Sequence, residues 1–183
     1  MSRIPPVDPS TAEGRARELL EGVQRSLGAT PNLYRVIAQS PAALEGVLGL
    51  AGALARGRIR ARLREQIALT VSEANGCEYC LSAHSALGAG LGLPPAELER
   101  ARQGRASNPR DEAALRFVGR VIERRGRVDD ADLAEARTAG LDDGQLVELV
   151  ANAALTVFTN YLNEVAGTEI DFPVVHASGA KAA

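Results

Sequence analysis

Between Arg62 and Leu91 a helical pattern is broken once, at Asn75-Gly76. Leu63, Ile67, Val71 and Ala74 recur at steps of three and four, the stripe of a helix that faces a core. Asparagine and glycine both tolerate the backbone values of a tight bend. A second helix is therefore predicted from Cys77 to about Leu91, with Gly88, Gly90 and Gly92 marking its end. As one continuous rod, the segment would hold Glu65 about 18 Å along the axis from Cys77, too far to interact. If the chain turns back instead, Glu65, ten residues before Asn75, comes level with His84, eight after Gly76.

What the bend decides is chemical, because the reactive groups are concentrated here. The stretch holds both cysteines of the chain, Cys77 and Cys80, and one of its two histidines, His84. Positions i, i+3 and i+7 of a helix share one face, so both sulfurs and the imidazole line one stripe. Cα atoms three apart on a helix are about 5 Å apart, within the range a disulfide accepts. Cys77 and Cys80 can then close and reopen without moving the fold. His84 sits one turn past Cys80, within reach of its proton directly or through a water. A carboxylate orienting a histidine that serves a nucleophile is an arrangement that activates a thiol. The expected relay runs Glu65, His84, Cys80, with Cys77 as second thiol. The helix start favours thiolate, which on the dipole alone makes Cys77 the more acidic sulfur.

Other uses of the same residues compete. The cysteines could be small buried core residues with His84 a satisfied neighbour. They could bind zinc, although Cys-x2-Cys-x3-His supplies three ligands from one helix and the other histidine is His176, near the tail. Thioredoxin-like use of Cys-x-x-Cys needs βαβ units, which this chain does not offer. For Glu65 the plain alternative is a first-turn dipole partner.

The rest of the sequence reads as scaffold. Alanine, leucine and arginine dominate and β-branched runs are short, which predicts an all-α protein. At 183 residues it is one domain, or two small halves sharing a core, with the dithiol region at 62–91. Asp8-Pro9 opens a predicted helix through Leu27. Thr30-Pro31 and Ser40-Pro41 place a capping side chain before a proline at the first helical position. Asn108-Pro109 caps a helix with core stripe Ala114, Phe117, Val118, Val121 and Ile122. A short helix runs from Asp130 to Ala139, and Asp142 with Gln145 forms a capping box for a long helix to about Val165. The tail, about 174–183, is small and polar enough to fray. Shifting the chain by 79 residues lays Gln66 on Gln145 and Val71 on Val150, and sets Thr156, Thr159 and Asn163 opposite Cys77, Cys80 and His84. A duplicated helical unit whose second copy lacks the thiols would produce this echo.

A net charge of −2 and three Tyr, three Phe and no Trp disfavour nucleic-acid binding. No apolar run is long enough for a bilayer and Met1–Ser10 lacks a signal-peptide core, so the expected location is the cytoplasm. There a lone cysteine pair is more often catalytic or metal-binding than a staple.

Glu65 with L-T-V-S-E-A-N-G-C-E-Y-C-L-S-A-H at 69–84 resembles the alkylhydroperoxidase D-like members of the carboxymuconolactone decarboxylase superfamily. P-N-L-Y-R-V-I-A-Q-S-P at 31–41 and F-T-N-Y-L-N-E-V-A-G-T-E-I-D-F-P at 158–173 are similar to flanks of its peroxidase-related branch. The resemblance implies an all-α bundle, self-association as dimers, trimers or hexamers, and thiol-dependent reduction of hydroperoxides by an external dithiol. It assigns Cys80 as the peroxidatic thiol, Cys77 as the resolving one, and His84 and Glu65 as the proton relay. Tyr79 departs from it, standing where the best-known peroxidases carry a histidine. The leading expectation is a cytoplasmic dithiol peroxidase needing no cofactor or metal. The runner-up is a redox-sensing or structural oligomer using the same disulfide, with a zinc-binding helical protein third.

Overall fold

The computed structural model describes residues 2–178. Among them the chain is helical: α1 (Gly14–Leu27), α2 (Asn32–Ile37), α3 (Pro41–Ala55), α4 (Ala61–Asn75), α5 (Glu78–Gly90), α6 (Pro95–Arg102), α7 (Pro109–Glu123), α8 (Asp130–Thr138) and α9 (Asp143–Ala166). α4 is the central rod and packs against α5, α6, α7 and α9. Its stripe explains why: Leu63, Ile67 and Val71 are buried among Leu115, Phe117, Val118, Leu146 and Leu149 of α7 and α9. The last residue of the predicted stripe, Ala74, is exposed, because the helix ends one residue later.

Gly76 closes α4 in the left-handed conformation, with φ 69°. The Cys77 N–H then donates to the Ser72 carbonyl, and α5 returns along α4. Arg62 near the start of α4 donates to the carbonyl of Leu91 just past α5, which fixes the pair as antiparallel. Ser40 caps α3 by accepting the Ala43 N–H, Asn108 caps α7, and Asp142 with Gln145 forms the capping box of α9.

Two starts differ from expectation for one reason. Asp8 accepts from the backbone N–H and hydroxyl of Ser10, so it caps a local turn and α1 begins at Gly14. Thr30 donates to the Gln24 side chain and does not cap α2, whose first N–H groups go to Asp171 and Tyr79 instead. The 79-residue echo also stops at the backbone. In that register Ala154-Leu155 face Asn75-Gly76, and α9 runs on as one helix where α4 and α5 fold back. Of the tail expected to fray, Val175, Ala177 and Ser178 donate backbone N–H groups to Ser82, Glu78 and Glu73; residues 179–183 lie outside the described residues.

Candidate active site

The reversal at Gly76 brings Glu65 and His84 together: Oε2 and Nδ1 are 2.7 Å apart. Both side chains are largely buried, at 18% and 26% exposure. With Nδ1 engaged, Nε2 is the ring nitrogen left for chemistry. Burial disfavours the charged ring, yet the Glu65 carboxylate and the Cys80 sulfur together raise the His84 pKa.

Cys77 occupies the N-cap of α5 and Cys80 its first turn. Both are free thiols, buried to 0% and 1% exposure. They differ in acidity, and not in the order the helix dipole suggests. The adjacent Cys77 thiol, the charge of His84 and the amides of Asn160 and Asn163 hold Cys80 down to about 6, against the cost of burial. Cys77 is pushed up, because its thiol serves Cys80 and it has lost its own water. No direct hydrogen bond joins His84 to Cys80 among the described residues, so the two are coupled through charge.

The opposite wall comes from α9, which local motifs do not reveal. Asn163 Nδ2 donates to Cys80 Sγ at 3.2 Å, and Sγ lies 4.0 Å from Thr159 Oγ1. Thr159 is the residue the 79-residue register sets opposite Cys80, so the echo was the one available signal.

Tyr79 points away from acid–base work. Its hydroxyl donates to Asp171 Oδ1 at 2.8 Å and accepts the Leu33 N–H at 3.0 Å. Its ring meets Phe172 edge-on, centroids 5.9 Å apart. Asp171 also accepts the Asn32 N–H, so Tyr79 pins α2 and the 169–172 segment to α5. Around the thiols this builds an apolar enclosure that includes Leu33, Ile37, Leu44, Leu162, Ile170 and Phe172.

A groove of about 730 Å³ lies between the end of α4, α7 and α9, and neither cysteine lines it. Among the described residues no three His, Cys, Asp or Glu side chains gather as a set that could hold a metal ion. No described helix is long and apolar enough to cross a membrane.

Residues 41–123, which hold α3 to α7 and the whole Glu65–His84 pair, match the carboxymuconolactone decarboxylase family. Over these residues the chain is similar to that family. Solved structures of similar shape extend the likeness beyond these residues. An alkylhydroperoxidase core, a peroxidase-related protein from Ralstonia eutropha JMP134, superposes with a TM-score of 0.83 at 25% identity, covering 93% of this chain and 92% of its own. A peroxidase-related protein from Silicibacter sp. TM1040 gives 0.80 at 22%, covering 91% and 88%. The debrominase Bmp8, solved with 2,3,4-tribromopyrrole, gives 0.78 at 23%, covering 92% and 91%. No curated protein matches the chain. The fold is thus the alkylhydroperoxidase-like helical bundle, and Tyr79 is a structural clamp within it.

Proposed function

We propose that the protein is a thiol peroxidase reducing hydroperoxides through a Cys77/Cys80 dithiol–disulfide cycle. The observation that carries this is the acidified Cys80 beside a neutral Cys77, with His84 held to Glu65 at 2.7 Å. The Cys80 thiolate attacks the terminal peroxide oxygen; an S–O bond forms, the O–O bond breaks, and the leaving alkoxide takes the proton of the His84 imidazolium. Cys77 then attacks the Cys80 sulfenic acid, forming the disulfide and releasing water. An external dithiol, whose two electrons and two protons restore both thiols, completes the cycle. The apolar enclosure favours a small organic hydroperoxide over a charged substrate.

The test is hydroperoxide consumption coupled to a panel of dithiol reductants, lipoyl and thioredoxin types included. Wild type is expected to turn over and Cys80→Ser to be inactive; equally slow consumption by both ends the enzyme claim. Complete burial of both thiols favours one other reading, a sensor whose disulfide reshapes the packing around it. Thiol loss under mild peroxide with a change in particle size and no cycling would select the sensor. In either case we infer a homo-oligomer, from apolar surface on α3 and α9.

A further inference from the structure

The buried face of α9 changes character along its length. Leu146, Leu149 and Ala153 are followed by Thr156, Thr159, Asn160 and Asn163, all buried. Three of these polar side chains are accounted for. Thr156 and Thr159 return their hydroxyl hydrogens to carbonyls of their own helix, those of Asn152 and Thr156. Asn160 donates to Ser72 and accepts from Asn75, tying the end of α4 to α9. Asn163 is different. Its amide N–H is on Cys80 Sγ at 3.2 Å, while its carbonyl Oδ1 is sealed from solvent without a partner. A leucine would fill this place with no bare carbonyl, and burying an unpaired polar atom is costly. The reverse orientation of the amide would turn the carbonyl dipole onto a thiolate, which is repulsive.

We propose that Asn163 is a catalytic residue that handles both partners of the sulfur–oxygen bond: Nδ2 holds the Cys80 thiolate, and Oδ1 accepts the O–H of the hydroperoxide and then of the sulfenic acid. The step rests on the peroxidase reading above. On approach, the terminal O–H of the peroxide donates to Oδ1, which sets that oxygen beside Sγ and leaves the alkoxy oxygen toward His84. When the S–O bond forms and the O–O bond breaks, the same hydrogen stays on the transferred oxygen and keeps its acceptor. The amide neither gains nor loses a proton. Its carbonyl finds a partner when the reaction begins, and Thr159, whose hydroxyl hydrogen is committed, offers only a lone pair to the sulfur side.

Two readouts separate the halves of the proposal, both taken in a Cys77→Ser background where the sulfenic acid persists. The pH dependence of Cys80 alkylation reports the N–H; Asn163→Leu is expected to move its midpoint up by about one pH unit. The rate of sulfenic-acid formation with an organic hydroperoxide, taken well above both midpoints, reports Oδ1; it is expected to fall about tenfold or more in Asn163→Leu. Unchanged midpoint and unchanged plateau rate would overturn the proposal. Asn163→Leu should melt no lower than its parent, since a bare carbonyl has been removed. If it does not fold, Asn163→Asp, of the same shape, carries the test: it must raise the midpoint, and a parental midpoint overturns the N–H role. No sulfenic acid in Cys77→Ser with Asn163 intact would instead sink the peroxidase reading, while the alkylation midpoint still decides the role of Nδ2.

Discussion

At the residue scale, the inequality of the two sulfurs governs the site. Cys80 is depressed first of all by the thiol of Cys77, then by His84 and the α9 amides. A group whose pKa is lowered is ionised above its folded value, so Cys80 should react as thiolate once the pH rises through about 6, well below the ordinary thiol range. Replacing Cys77 by Ala removes the largest contribution and should shift the alkylation midpoint of Cys80 upward; Cys77→Ser, which retains a hydroxyl donor, should shift it less. Identical midpoints in Ala and Ser variants would mean the neighbour acts by bulk alone. The dipole argument named the other sulfur because it weighed position on the helix and not the hydrogen bond between the two thiols, the charge of His84, or Asn163, which arrives from 83 residues away. Glu65 and His84 were legible because Gly76 is a helix-ending glycine with a short path on either side.

At the element scale, the two antiparallel helices α4 and α5 are held from outside by Tyr79. Tyr79→Phe keeps the ring on Phe172 but strips the partner from the Leu33 N–H and from Asp171 Oδ1. Leaving such groups unpaired costs about 1–3 kcal/mol, so chemical denaturation should show a loss of that order with little change in the Cys80 midpoint. A wild-type denaturation curve would show that water replaces the hydroxyl. Helix existence and most boundaries were readable from punctuation, as at Ser40-Pro41, Asn108-Pro109 and Asp142 with Gln145. The misses, at Asp8 and Thr30, come from side chains that found nearer partners than the helix they precede. Nothing local distinguishes those two outcomes.

At the scale of the whole molecule, the chain leaves apolar surface uncovered. α9 presents Val147, Val150, Phe158, Tyr161 and Val165 along one outward stripe, Tyr161 and Val165 at 60% and 61% exposure. α3 carries a single charge, Glu45, yet buries only Leu44 and Leu54. Contiguous faces of this kind mark contacts with other chains. The double variant Tyr161→Glu/Val165→Glu should run as a smaller particle than wild type in light scattering. A wild type that already runs as a monomer would remove the inference. The hydrogen bond joining Glu65 to His84 spans 19 residues, whereas that joining Asn163 to Cys80 spans 83. Closing a short loop is entropically easier and faster than closing a long one. In a growing or refolding chain the acid–imidazole pair therefore assembles ahead of the amide, and the α9 contacts to the sulfur form last, when the long helix docks.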